Sequence, residues 1–109
     1  MNKNKVILVG RVVQTPVSKE FGEGKRFTKF SLATNETRDD GKIKAEFHRI
    51  ICFGELANKC KEHLSKGNLV YITGKLRTSR WEGSDKILHS TTDIIANEML
   101  LLSKKQPLK

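Results

Sequence analysis

Apolar positions along this chain recur mostly with a period of two, the mark of strands whose faces alternate between an interior and a surface. Residues 5–13 are rich in Val, Ile and Leu and read as a first strand, and Gln14-Thr15-Pro16 turns it. Proline donates no ladder hydrogen bond and disfavours helix before it. A glycine-flanked loop over residues 21–25 follows. Residues 26–34 alternate, with Phe27, Lys29, Ser31 and Ala33 on one side and Thr28, Phe30, Leu32 and Thr34 on the other. Asp39-Asp40-Gly41 is a hairpin signal that returns the chain as a strand over residues 43–53. The period changes only over residues 55–66, where Leu56, Cys60 and Leu64 recur at helical spacing and Ala57 widens the stripe. Lys61 and Lys66 near its end suit the helix dipole, and Gly67 is placed to cap it. Residues 69–78 read as another strand, 79–86 as a polar loop or hairpin tip, and 87–102 as a final strand broken near Asn97.

The order is then three strands, one helix and two strands. This predicts an all-β fold, a five-stranded OB barrel with one α-helix between its third and fourth strands. With 109 residues the chain has length for one core. One domain over residues 1–103 and a short basic tail over 104–109 are expected. Hydrophobic residues at 37% and charged residues at 30% are ordinary for a globular protein rather than a disordered one. The longest apolar run, residues 99–102, is far too short to span a bilayer, so no membrane partner is expected. Val6-Ile7-Leu8-Val9 is interrupted by Gly10-Arg11 before it reaches signal-peptide length, so a cytoplasmic location is expected.

Charge narrows the partner. Lys and Arg total 21 against 12 Asp and Glu, a net charge of +9. On so small a domain this favours a polyanion through steering and counterion release. Nucleic acid, anionic membrane and acidic protein all satisfy that criterion. Cys52 and Cys60 fit a reduced compartment better than a disulfide framework, and both read as small buried hydrophobes.

The strand over residues 43–53 sharpens the choice. Strand parity sets Phe47, Arg49 and Phe53 on one face, away from His48, Ile50 and Cys52. Two aromatics in line with a guanidinium suit a flat, anionic ligand, and single-stranded nucleic acid is one. Trp81 lies in a polar segment with little core to join and is a third stacking candidate. Phe30 reads as core and Phe27 stays open; Phe21, Phe27 and Phe30 as a group lack the cationic setting. Lys5, Arg11, Arg49, Lys75, Arg77 and Arg80 are the phosphate candidates, since guanidinium both pairs with phosphate in a fork and stacks on bases.

His48, Cys52, Cys60 and His63 depart from the paired spacings of structural zinc sites, and a metal is not expected. Asp39 and Asp40 are turn residues, and neither a Walker-type glycine motif nor a nucleophile motif occurs. Neither an enzyme nor a cofactor is therefore expected.

Several runs of residues, in order, carry a family resemblance. They are Asn4-Lys5-Val6-Ile7-Leu8-Val9-Gly10-Arg11, Phe30-Ser31-Leu32-Ala33-Thr34-Asn35, Glu46-Phe47-His48-Arg49-Ile50-Ile51-Cys52-Phe53-Gly54-Glu55-Leu56-Ala57, Leu64-Ser65-Lys66-Gly67-Asn68-Leu69-Val70-Tyr71-Ile72-Thr73-Gly74-Lys75-Leu76-Arg77-Thr78 and Arg80-Trp81. Together they resemble the bacterial single-stranded DNA-binding protein family over nearly the whole chain. The resemblance implies a cytoplasmic, nucleoid-associated OB-fold homotetramer that wraps single-stranded DNA without sequence preference in replication, recombination and repair. It implies base stacking by Phe47, where the family often has tryptophan, and by Phe53 and Trp81. It places His48 and Tyr71 near subunit contacts. Thr37 stands where the family often carries an aromatic, so one stacking platform is expected to be missing. The chain ends in Lys104-Lys105-Gln106-Pro107-Leu108-Lys109 rather than in the family's linker and acidic tip, so recruitment of repair enzymes through that tip is not expected. The missing tip also favours an alternative, a dimeric primosome-type OB-fold adaptor whose main partner is a replication protein. The helix over residues 55–66, with Phe53 before it, favours the single-strand binder.

Overall fold

In a computed structural model, residues 2–104 are described. The elements are β1 (Val6–Val12), β2 (Val17–Phe21), β3 (Lys25–Thr37), β4 (Ile43–Phe53), α1 (Gly54–His63), β5 (Leu69–Glu82) and β6 (Leu88–Ser103). The strand order β1-β5-β6-β4-β3 closes on itself because β3 pairs back to β1, through Arg11 opposite Ala33 and Val12 opposite Leu32. These pairings are antiparallel except β4 with β6, which run parallel with Ile50 opposite Ile94. This ring of five strands is the OB barrel expected from the sequence. Of the expected basic tail, residues 105–109 lie outside the described residues.

The barrel closes around Val12, Phe30, Leu32, Ile50, Cys52, Val70, Ile72, Ile94 and Met99, and α1 adds Ala57, Cys60 and Leu64 to the same core. The predicted alternation holds on β3, where Thr28, Phe30 and Leu32 are buried. Buried Thr28 spends its hydroxyl on the Ala57 carbonyl at 2.8 Å, tying β3 to the helix. Two close approaches make the closure possible. A Cβ on Gly10 would run into the Ala33 carbonyl oxygen, and one on Gly74 into that of Ile95.

Several elements differ from the sequence reading. β2 was not expected and makes the helix follow the fourth strand; it is an edge strand paired only to β3, with mostly exposed side chains, so it carries no burial signal. The turn that builds it is confined to residues 22–24, where Gly22 and Gly24 take φ of +62° and +70°. β5 runs on to Glu82, so Trp81 stands on a strand rather than a loop. Residues 75–82 of that arm are all exposed, so no alternation of buried and exposed positions marks it as strand. The helix ends at His63 because Leu64 turns extended and drops into the core. Gly67, expected as a helix cap, instead donates its N–H to the Val12 carbonyl at 2.8 Å. The expected break near Asn97 is a β-bulge: Thr73 faces Glu98, Gly74 faces Ala96, and Asn97 is left over to accept the Thr73 hydroxyl at 2.6 Å.

Cys52 on β4 and Cys60 on α1 are fully buried with their Sγ atoms 3.6 Å apart. The hydrogen bond to Cys60, with burial behind it, pushes the Cys52 thiol far up. The same hydrogen bond lowers the Cys60 thiol, so what protects both is burial: with each cysteine fully covered, Ellman's reagent is expected to titrate neither in the folded protein and both after denaturation. Rapid reaction of either thiol under native conditions would contradict this packing.

Candidate nucleic-acid interface

The odd-numbered face of β4 is a surface because of what stands opposite it. Phe47 faces Ala33 and Arg49 faces Ser31, small residues that leave the larger side chains uncovered. Phe47 is 65% exposed, while Ile51 on the same face is buried. On the even face Ile50 and Cys52 are sealed in the core, and His48 is half-buried with Nε2 2.9 Å from the Thr34 hydroxyl.

Phe53 belongs to a larger cluster than the sequence suggested. It faces Phe27 across β3–β4, with ring centroids 6.5 Å apart, and Phe21 lies 5.8 Å from Phe27 and 6.2 Å from Phe53. The cationic setting denied to Phe21 and Phe27 is present. The Lys29 ammonium stands 5.6 Å from the Phe27 centroid and the Arg77 guanidinium 5.8 Å from that of Phe53. No local pattern joins Phe21 to these rings, because its partners follow from the pairing of β2, an edge strand without apolar alternation.

Hollows join these groups into a groove. One of about 210 Å³ is lined by Phe27, Lys29, Ile51, Phe53 and Arg77. Lys29 and Ile51 also line a second, of about 350 Å³, with Lys19 and Arg49. Lys19 was not among the sequence candidates; it too comes from β2. A third hollow, of about 250 Å³, brings Arg11 and Lys66 beside Phe47. Arg11 donates to the Gly67 carbonyl at 3.1 Å, so its guanidinium is held where Phe47 is exposed.

Other candidates stand apart from this groove. Trp81 faces His89 across the β5–β6 arm, and the rings stack at 5.5 Å with 23° between planes. His89 therefore covers one indole face, and Trp81 remains 47% exposed. Exposed Arg80 precedes it, opposite Ser90. Lys5 and Lys75 come to the same end of the β1–β5 ladder, since Val6 pairs with Gly74. Tyr71 lies on the outer face, between Val9 on β1 and Leu100 on β6. Among the described residues no three of His, Cys, Asp or Glu converge on one point. Among them, too, no helix is long and apolar enough to cross a membrane.

A closed OB barrel bearing a cationic groove set with exposed aromatic rings defines an OB-fold domain of the kind whose face suits oligonucleotides. Sequence comparison narrows the class. A model of the single-strand binding protein family matches residues 3–102, and the chain belongs to that family. It is 41% identical over 103 residues to a single-stranded DNA-binding protein of Xanthomonas campestris, covering 91% of this chain and 60% of that protein. It is 37% identical over 106 residues to one from Neisseria meningitidis, covering 94% of this chain and 61% of the relative. The chain thus spans about three-fifths of the length of these curated relatives. Among solved structures, a Plasmodium falciparum SSB in complex with single-stranded DNA superposes with a TM-score of 0.85 at 33% identity, over 94% of this chain and 97% of that one.

Proposed function

We propose that this chain binds single-stranded DNA without sequence preference, and coats and protects it during replication, recombination or repair. One observation carries the reading: rings and cations are paired at hollows along the outer face of β3 and β4, Phe53 with Arg77, Phe27 with Lys29, and Phe47 with Arg11. Bases stack on Phe47, Phe53 and Trp81, while Lys5, Arg11, Arg49, Lys75, Arg77 and Arg80 meet phosphates. Phe21 and Phe27, whose rings cluster with Phe53, and Lys19 and Lys29, which line the adjoining hollow, are added to that set. Every base has a π-face, so such a groove tolerates any sequence. The protein acts without catalysis, through residues 1–103 as the binding domain, in the cytoplasm on nucleoid DNA.

It acts as a homotetramer. Ile7, Val9, Leu100 and Leu102 are each about half exposed and flank Tyr71 on the outer face of β1, β5 and β6, an apolar patch suited to a second copy. His48 lies on a different face, where it supports a separate subunit contact.

Trp81 is the single tryptophan and reports directly on the arm. Poly(dT) is expected to quench its fluorescence, and log K is expected to fall with log salt by about 0.7 per phosphate neutralised. The titration is run on protein whose mass in solution has been measured. A tetramer is expected, whereas a dimer favours the adaptor reading. Absence of both quenching and gel retardation at low salt overturns the proposal.

A further inference from the structure

Beneath the groove lies a charged group that the stacking and phosphate roles leave unused. Asp93 on β6 is 5% exposed, and its Oδ1 is shut off from water without a well-aligned hydrogen bond. Its counter-charge is the Arg49 Nε, 3.0 Å away. The two residues differ sharply in setting, the Asp93 side chain being 7% exposed and that of Arg49 55%. On its other side Asp93 faces Arg77 across β5–β6, but that guanidinium is over the Phe53 ring.

We propose that Asp93 is a positioning residue for DNA binding, holding the Arg49 guanidinium at the hollow it shares with Lys19 and Lys29. This inference rests on the proposed single-strand binding. A buried carboxylate without its counter-ion is strongly disfavoured, so Arg49 does not leave Asp93 to follow a phosphate. Nor need it. Guanidinium carries five N–H donors in a rigid fork, and an ion pair made on its Nε side leaves the terminal amino groups to reach the ligand. Free arginine loses rotamer freedom when it binds, and one already anchored has lost it in folding. Lys19 and Lys29 act as point charges in the same hollow, whereas Arg49 supplies fixed direction.

The sign of one substitution separates this role from simple electrostatics. Were Asp93 merely a negative charge near the ligand, Asp93→Asn would tighten DNA binding, most of all at low salt. A positioning role predicts weakening. At about 0.3 M salt, where the Debye length is roughly 5 Å, long-range repulsion is damped and the loss of anchoring is exposed. Asp93→Asn is expected to weaken poly(dT) binding about fivefold there, yet to change it less than about twofold in an Arg49→Gln background. A merely structural role would weaken both backgrounds alike and overturns the proposal, as does tighter or unchanged binding by Asp93→Asn. Wild-type protein that fails to bind poly(dT) identifies instead a failure of the underlying function. If Asp93→Asn does not fold, Asp93→Glu keeps the charge but displaces the anchor. Weakened binding by that folded variant supports the role, and unchanged binding overturns it.

Discussion

Phe53→Ala is expected to reduce poly(dT) affinity more than any other single aromatic substitution, by about 1–3 kcal/mol or roughly 5- to 150-fold. That is the range general to base–aromatic stacks in single-strand binding OB-folds. The upper end applies here because Phe53 supports its neighbours. Its ring lies against Phe21 and Phe27 and carries the Arg77 guanidinium on its surface. Alanine removes one stacking platform and frees three groups from fixed positions. Phe47→Ala removes a ring that faces Ala33 and supports no neighbouring ring among the described residues, so a smaller loss is expected. The fold is expected to survive Phe53→Ala. Phe53 is 39% exposed, and its extended N-cap backbone makes no side-chain cap bond that alanine would break. Fluorescence titration at one salt concentration, paired with a thermal melt, checks both parts. Affinity within about twofold of wild type, at unchanged stability, would remove Phe53 from the binding surface.

Gly10→Ala is expected to have the largest effect on stability. Gly10 needs no positive φ; what it needs is the absence of a Cβ. The added carbon would meet the Ala33 carbonyl oxygen, carbonyl carbon and Thr34 side chain at once. The first two are backbone in the strand that closes the barrel, and backbone does not rotate aside. Overpacking typically costs about 1–3 kcal/mol, and a rigid obstacle places this case at or above the top of that range. For a domain of this size the melting temperature is then expected to drop by roughly 10–20 °C. Because the strained contact adjoins the Arg11–Ala33 pairing that joins β1 to β3, binding at the Phe47 hollow is expected to weaken as well. Gly24→Ala is the matched control. Its φ of +70° carries the usual left-handed strain, but the space around it is open, so a loss of only about 1 kcal/mol is expected. Equal melting temperatures for the two variants would refute the argument from barrel closure.

Much of this architecture was legible in the chain. Alternation along β3 and β4 assigned Phe30, Leu32, Ile50 and Cys52 to the interior and Phe47, Arg49 and Phe53 to the other face, and their burial agrees. Helical spacing found α1, because Cys60 and Leu64 both go to the core. What escaped was β2 and the outer end of β5, residues 79–82. Neither buries an apolar face, so neither leaves a periodic mark. With β2 went Phe21 and Lys19, members of the groove whose only signal is a pairing register.

The amino-acid sequence by itself determined the strands of the barrel, the polarity of β4 and the family, because burial writes a period of two into neighbouring residues. Only the tertiary structure decided which ring meets which cation. Arg77 on β5 covers Phe53 on β4, Arg11 on β1 sits beside Phe47, and buried Asp93 on β6 holds Arg49. Those partners lie on different strands, and short-range contacts between distant segments depend on register and closure, which no local pattern encodes.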